Sequence, residues 1–589
     1  MYDYQSDEIL GKAYDSLLIK RLWRYVIKYK WLLVLSLILL PVVALLELSQ
    51  PYLIKVAIDR YILKGEYAGL RIISLIYFLV MLGEFGARYF QTYITQLVGQ
   101  KVTRYLRDEL FSHLVGRSLN FFHKNPVGRL VTRLTNDIEV INEMFSSGVI
   151  AIFGDLFTLV GIIVVMVYID YRLALYTFST TPLIIAGVLF YRKKGREAFR
   201  QVRQLIAHLN SYLQENVSGI REVQIFRREQ RNLAEFDDIN LKHRQADMKA
   251  VGFDAFLYSL VEMVGSLATA VIIWFGGGEV MKGWLTFGVL VAFIEYIRKF
   301  FIPIRDLSAK YTIMQSAMAS LERIFTLLDN EDEIKDPVFP KMPVKLEGAI
   351  EFRDVWFAYE PEQYVLKGIS FKVPAGSKVA IVGATGAGKT SLIKLLGRYY
   401  EPQRGEIFLD GVNIQDIPKG RLRTLVGTVL QDEFLFSGDI LRNIRLDRQD
   451  ISLEEIRGLA RLLGADKFLE RLPGQYLETV RERGSNFSSG ERQLISFLRI
   501  MAFNPKILLL DEATSQMDSE TERILQQALE IMLQGRTSII VAHRLSTIKK
   551  VDQILVVHQG EITESGTHEE LIALEGVYYN LYQLQYQPA

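Results

Sequence analysis

Gly383-Ala384-Thr385-Gly386-Ala387-Gly388-Lys389-Thr390 is the stretch on which the reading of this chain turns. An apolar run, Lys378 to Val382, precedes it and reads as a buried strand; Ser391 to Leu396 follows and reads as the opening of a helix. Strand, glycine-rich turn and helix form the setting in which a backbone wraps phosphate oxygens. The loop's amide N–H groups and the helix N-terminus behind them present positive potential to an anion. Lys389 is then placed to reach the β- and γ-phosphates, and Thr390, or Ser391 beside it, to hold Mg2+. A strand–helix turn without a ligand is the bland alternative, but every fixed position of the pattern is matched in its required context. The expectation is a site for a nucleoside triphosphate.

The chain has 589 residues, too many for one hydrophobic core, so two or more domains are expected. Half of them are hydrophobic (50%), and mean hydropathy is positive at +0.15. A net charge of only +2 argues against a nucleic-acid partner held by phosphate neutralisation. Cysteine is absent, which excludes disulfides, thiolate metal sites and cysteine nucleophiles. The opening, Met1 to Glu8, is acidic and polar, unlike a cleavable secretory signal, so the apolar segments are expected to belong to the working protein.

Those segments fall in the first half. Residues 15–30 interleave Leu17, Leu18, Leu22, Trp23 and Tyr25 with Lys20, Arg21, Arg24 and Lys28, the pattern of an amphipathic helix lying on the cytoplasmic membrane surface. Six segments then reach the roughly 20 apolar residues a bilayer crossing needs, near 31–58, 68–98, 142–169, 172–191, 255–277 and 284–304. Long charged connections, 99–140 and 192–250, carry Lys101, Arg104, Arg107, Arg129, Arg133 and then Arg192 to Arg203, so they are expected on the cytoplasmic side. Their helical spacing implies that the spans continue into the cytoplasm, each pair bending at Asn125-Pro126-Val127-Gly128-Arg129 or Ser218-Gly219-Ile220-Arg221. Glu47, Glu84, Arg88, Asp155, Glu262, Glu295, Arg298 and Lys299 lie inside spans, where charge is costly. Glu84 and Arg88, four apart, are expected to pair. Asp155, Glu262 and Glu295 have no obvious local partner, which makes them candidates for lining a cavity, with interhelical bonds the structural alternative.

After a charged, proline-containing linker, the chain from about 349 alternates strand and helix patterns. Lys506 to Asp511 is an apolar strand ending in two carboxylates, Asp511 and Glu512; such acids position Mg2+ and polarise a water. Thr537 to Ala542 is another, ending at His543, where strand ends would meet a γ-phosphate.

With these motifs in place, residues 349–589 resemble the nucleotide-binding domain of an ATP-binding-cassette (ABC) transporter, and the first half resembles the six-helix membrane domain of its exporter branch, of the bacterial multidrug or lipid type. The resemblance implies a fold of two parts: an all-α six-helix transmembrane domain with long cytoplasmic helical extensions, then an α/β P-loop nucleotide-binding domain. The divisions are 1–30 (N-terminus and elbow helix), 31–328 (transmembrane domain with two coupling loops), 329–348 (linker) and 349–589. It implies that Tyr359 stacks on adenine and that Gln431 senses Mg2+. Residues 383–391, with Ala384, Thr385 and Ala387 among them, would bind ATP. Phe487-Ser488-Ser489-Gly490-Glu491 stands for the signature, whose serine, Ser488, and Gly490 would face a γ-phosphate. Lys389, Gln431, Glu512 and His543 would carry catalysis; Thr390, Gln431 and Asp511 would hold Mg2+. Ser515 to Asp518 matches the D-loop, and Thr479 to Gly484 a loop that contacts the two bends, which become expected coupling helices.

The signature departs from the family's Leu-Ser-Gly-Gly-Gln: Ser489 replaces a glycine, and Glu491 puts a carboxylate near an anionic ligand, unfavourable unless it points away. The D-loop, Ser-Gln-Met-Asp, is also unusual. An intact phosphate loop beside an altered signature favours a second, different half-transporter as partner, with membrane lipid and an amphipathic small molecule as the other expected contacts. The function implied is ATP-driven export across the cytoplasmic membrane. A homodimeric lipid flippase or peptide exporter and an ATP-gated channel or regulatory subunit are the alternatives; a soluble repair-type ATPase is excluded by the apolar spans.

Overall fold

Asp15 opens the first helix of the described chain: its carboxylate accepts from the Leu17 N–H at 2.8 Å and starts the helix Ser16–Val26. That helix buries Leu22, Tyr25 and Val26 and exposes Leu17, Trp23 and Lys20, the two-faced pattern of its sequence. The structure is a computed structural model that describes residues 15–429, 433–446, 448–511, 519–541 and 548–586; Gln431, Glu512, the Ser515–Asp518 loop and His543 lie outside these. The described chain divides into two units: Met1–Val115 with Val127–Asn330, and Gly116–Pro126 with Glu331–Ala589.

The first unit is helical. Among the described residues, five of its helical runs are long and apolar enough to cross a membrane: Ser16–Ile62, Tyr67–Val115, Val127–Ile169, Tyr171–Ser218 and Glu229–Met281. The sixth predicted segment belongs to the continuous helix Phe287–Leu328. It is not among those five, and Glu295, Arg298 and Lys299 interrupt its apolar stretch. Tyr67–Val115 has 49 residues, about 74 Å of helix at the standard rise against a hydrocarbon core of about 30 Å, so the predicted extensions beyond the bilayer are present. The short link at Asp170 works as a cap, its carboxylate accepting from Leu173 N–H at 2.7 Å to start the next helix. A short helix, Leu119–Lys124, ends just before the first predicted bend, and another, Ile220–Ile225, begins within the second.

Packing in this unit is close and partly polar. Leu48, Ile162, Met166, Val264, Ala268, Phe293 and Tyr296 are buried together, and the Tyr296 hydroxyl donates to the Leu48 carbonyl at 2.6 Å. Arg88 pairs with Glu84 at 2.8 Å as expected, but also with Glu47 at 3.0 Å, and Lys299 lies 3.5 Å from Glu47. Glu84 further accepts from Gln50. Asp155 is paired with Lys310, from a helix remote in sequence, and Glu295 with Arg298 at 3.4 Å. Asp155 thus takes an interhelical partner, the structural alternative to a cavity role, while Glu295 has a local partner three residues on, which corrects the expectation for that residue; Glu262 is exposed on this chain.

The second unit contains twelve strands among the described residues. These are β1 Ile350–Ala358, β2 Tyr364–Val373, β3 Lys378–Val382, β4 Arg404–Leu409, β5 Val412–Asn413, β6 Val426–Val429, β7 Gly438–Asp439, β8 Thr479–Val480, β9 Ile507–Asp511, β10 Thr537–Val541, β11 Gln553–His558 and β12 Glu561–Gly566. An antiparallel sheet runs β2-β1-β4-β5; a second runs β12-β11-β3-β10-β9-β6, in which β12 alone is antiparallel to its neighbour; β7 pairs with β8. β3, β9 and β10 are buried almost throughout and mostly apolar, with Thr537, Ser538 and Asp511 the buried polar exceptions, as a parallel sheet covered on both faces requires. One apolar core lies under the antiparallel sheet and the helix Lys389–Leu396; another joins the helices Leu453–Leu463 and Ser489–Phe503 to the parallel sheet.

Candidate nucleotide site

The parallel order β3-β10-β9-β6 brings the C-terminal ends of four strands to one edge, the edge where open α/β sheets bind ligands. From β3 the chain enters the glycine loop, and the helix starts at Lys389, two residues before the sequence suggested, because Gly388 at φ +102° turns the backbone there. From β9 emerges Asp511, buried, opposite Val541 at the end of β10. Glu512 and His543 follow these strand ends, and Gln431 follows β6, in sequence.

Lys389 is 7% exposed. Its ammonium donates to the Gly383 carbonyl at 2.7 Å and to the Ala384 carbonyl at 3.0 Å. Burial holds its pKa below that of a free lysine, and the Asp511 carboxylate partly offsets this. A buried ammonium balanced by one carboxylate and two carbonyls is poised to exchange those carbonyls for phosphate oxygens. Ser391 is buried, its hydroxyl 3.0 Å from the Tyr359 hydroxyl, while Thr390 is half-buried beside it. Ala384, Thr385 and Gly386 are exposed on the loop's outer turn; Ala387 and Gly388 are buried beneath it. The Tyr359 ring meets Tyr400 edge-on at 5.2 Å and Phe357 at 4.8 Å, with the Lys394 ammonium 5.5 Å from its centroid. Mg2+ bound to nucleotide keeps several waters and uses one or two protein ligands; Thr390 and the buried Asp511 beside the loop fit that demand.

The signature residues stand apart. Among the described residues no hydrogen bond joins Ser488 or Gly490 to the glycine loop. Ser488 caps the helix Ser489–Phe503. Its hydroxyl accepts from Glu491 N–H at 3.3 Å while the Glu491 carboxylate accepts from Ser488 N–H at 2.7 Å, a complete capping box. Glu491 thus folds back onto its own helix N-terminus. Gly490 is buried, and a Cβ there would strike the Thr521 side chain, so the second glycine of the motif is held by packing.

Sequence reasoning did not anticipate two groups. Ser488-x-x-Glu491 is a legible capping box, but the comparison with Leu-Ser-Gly-Gly-Gln framed Glu491 only as a departure. Arg499, one of the signature helix's last residues, reaches Asn443 O at 2.8 Å, Phe434 O at 3.2 Å and Asn443 Oδ1 at 3.1 Å. It ties the stretch after Gln431 to the signature helix, and burial holds its pKa down. No local pattern signals that reach.

Comparison with known proteins agrees with this geometry. Residues 33–304 match the ABC transporter transmembrane region and residues 366–515 match the ABC transporter domain. The chain belongs to the ABC transporter family. It is 37% identical to a probable multidrug resistance ABC transporter ATP-binding/permease protein of Bacillus subtilis, over 88% of this chain and 77% of that one. It is 36% identical to an ATP-dependent lipid A-core flippase of Desulfotalea psychrophila, over 96% and 99%, and 37% identical to an uncharacterized ABC transporter ATP-binding protein of Bacillus subtilis, over 97% and 94%. This ABC transporter is an integral membrane protein with its ATPase domain in the cytoplasm, and it couples ATP hydrolysis to export.

Proposed function

We propose that this chain is one half of a heterodimeric exporter of amphipathic or hydrophobic molecules, supplying a competent phosphate loop and a weakened signature. The observation that carries the reading is the Ser488–Glu491 capping box: an internal carboxylate already occupies the helix N-terminus that a partner-bound γ-phosphate would approach. In a homodimer both composite sites would bear that carboxylate; with a different partner one site escapes it. The cargo class is supported by relatives named for multidrug resistance and for lipid A-core flipping; a homodimeric flippase remains the competing assignment.

In this reading Tyr359 stacks on adenine, and Ser391 turns from the Tyr359 hydroxyl to a phosphate. Lys389 leaves the Gly383 and Ala384 carbonyls for the β- and γ-phosphate oxygens. Mg2+, held by Thr390, Asp511 and Gln431, would neutralise phosphate charge. Glu512 accepts a proton from the attacking water, and Lys389 and His543 stabilise the charge that develops on the transferred group. Closure of two nucleotide-binding domains over ATP turns the membrane cavity outward, and hydrolysis resets it. ATPase assays on the purified chain in lipid nanodiscs, alone and with a candidate partner half, test the proposal. Slow turnover alone with restoration by the partner is expected; full turnover by the chain alone overturns it.

A further inference from the structure

Residues 116–126, cut from the first cytoplasmic bend, belong to the second unit rather than to the helices on either side of them. The attachment is specific. Ser118 N–H donates to the Asp332 carbonyl at 2.9 Å, the Ser118 hydroxyl to the Asp332 carboxylate at 2.5 Å, and Asn120 Nδ2 to the other carboxylate oxygen at 3.0 Å. Ser118 also caps the helix Leu119–Lys124, whose Phe121 is buried. The same helix presents His123 to the Tyr400 ring, 6.4 Å between centroids and 28° from parallel.

Tyr400 continues inward. Its ring meets Tyr359 edge-on at 5.2 Å, and the Tyr359 hydroxyl lies 3.0 Å from the Ser391 hydroxyl on the phosphate-loop helix. The Tyr400 hydroxyl itself is buried without a hydrogen-bond partner among the described residues. Phenylalanine would keep every ring contact and remove that unpaired group, so packing alone gives no reason for a tyrosine here. Burial, with Tyr359 and then the Asp332 charge as smaller contributors, pushes the Tyr400 pKa up to about 12, which keeps the hydroxyl a donor at neutral pH. The nearby acid is the residue that holds Ser118 and Asn120.

We propose that Tyr400 is a positioning residue with two arrangements, linking the adenine side of the nucleotide site to the first cytoplasmic loop through Tyr359 on one side and His123 and Asp332 on the other. In one arrangement Tyr359 holds Ser391 and the Tyr400 hydroxyl is unpaired. In the other, Tyr359 has turned to the adenine and the freed Tyr400 ring delivers its hydroxyl to the Asp332 carboxylate. Nucleotide binding then gains a hydrogen bond at the loop's attachment, and displacement of the loop in turn weakens nucleotide binding, the reciprocity any such coupling obeys.

The inference rests on Tyr359 as the adenine-facing residue, so the test separates the two. Equilibrium binding of trinitrophenyl-ATP is measured on the full chain in nanodiscs for the parent, Tyr359→Leu, Tyr400→Phe, His123→Ala and the Tyr400→Phe/His123→Ala double variant. Tyr400→Phe is expected to raise Kd about threefold to tenfold, the worth of one net hydrogen bond, without lowering the thermal unfolding midpoint of the nucleotide-free protein. His123→Ala is expected to raise Kd as well, and the double variant to fall short of the product of the two. An unchanged Kd for Tyr400→Phe, or strict additivity in the double variant, overturns the linkage while a raised Kd for Tyr359→Leu leaves the adenine assignment standing. An unchanged Kd for Tyr359→Leu overturns both.

Discussion

Replacing Glu491 by glutamine isolates what the altered signature does, because only the charge changes. The Glu491 carboxylate accepts from the Ser488 N–H at 2.7 Å, and the Ser488 hydroxyl accepts from the Glu491 N–H at 3.3 Å. A glutamine carbonyl would keep the first bond in its weaker neutral form. The loss of a carboxylate from the first turn costs about 0.3–1 kcal/mol of helix stability. On the other side stands repulsion: a carboxylate about 6 Å from a phosphate, at an effective dielectric near 20, costs about 2.8 kcal/mol per unit of phosphate charge. Salt and water screening reduce this, but half of it, about 1.4 kcal/mol, is already tenfold in affinity. Repulsion is the larger effect, so Glu491→Gln should tighten ATP at the composite site this signature closes by about tenfold, while lowering the unfolding midpoint by only about 2 °C. Glu491→Asp is the control: it keeps the charge but is too short for the capping box, so stability falls and affinity does not rise. The assay is ATP-concentration dependence of turnover in nanodiscs, with the partner half present, alongside thermal unfolding. An affinity unchanged or weakened in Glu491→Gln, with the helix intact, refutes the argument that the carboxylate opposes nucleotide.

Glu512→Gln should abolish turnover while nucleotide still binds, read by ATPase assay and equilibrium binding together; near-normal hydrolysis removes Glu512 from its role. Asp155→Asn leaves the Lys310 ammonium without its anion inside the membrane unit. Because both side chains retain some exposure, the cost is set below that of a fully buried pair, at about 1–3 kcal/mol, and Asp155→Asn/Lys310→Met should recover most of it in a thermal-stability assay in nanodiscs. Transport of cationic cargo falling in Asp155→Asn with no loss of stability would return that residue to the cavity. Tyr400 supplies a pH test. Its folded pKa of about 12 exceeds the ordinary 10.0, so the folded state keeps the proton longer, and the stability this gives is present below pH 10 and lost as pH rises towards 12. The difference in stability between parent and Tyr400→Phe should therefore shift in favour of phenylalanine across that window, by at most about 3 kcal/mol, as measured by denaturant unfolding at stepped pH; a difference constant with pH argues against the shift.

What could be read from the sequence was what local chemistry controls. Lys378–Val382 is a strand because five apolar or half-buried residues must be covered on both faces, and the loop after it has one workable geometry. The capping serines and aspartates, Asp15 and Asp170 among them, are local as well. What escaped was pairing at a distance. Nothing near Asp155 announces Lys310, and nothing near Glu47 announces both Arg88 and Lys299, because each partner arrives on another helix whose rotation is set by packing of residues such as Tyr296 and Leu48. The bend at Asn125-Pro126 was legible as a bend. That its preceding helix would take its bonds from Asp332, in the linker, was a tertiary choice between surfaces that the sequence does not rank.

The functional groups of this site share one property, and it bears on how the two half-sites differ. Lys389 is bonded to the Gly383 and Ala384 carbonyls, Ser391 to Tyr359, and Ser488 to Glu491: each is satisfied within the chain. A ligand must displace these bonds, and the exchange is favourable only where the newcomer is the better partner. Phosphate is a better partner for an ammonium than two neutral carbonyls, since a charge-assisted bond is roughly twice as strong as a neutral one. It is also a better acceptor for Ser391 than another hydroxyl. At Ser488 the comparison reverses, because the resident partner is itself an anion and is covalently tethered three residues away. A phosphate approaching that N-terminus replaces nothing it can outbid and meets a charge of its own sign. Under the proposed assignment, the loop half of the site would yield to nucleotide and the signature half would resist it. An exporter made of two copies of this chain would carry that resistance at both sites, whereas one copy beside a partner with an uncharged signature residue would leave Lys389 and Glu512 an unopposed site at which to work.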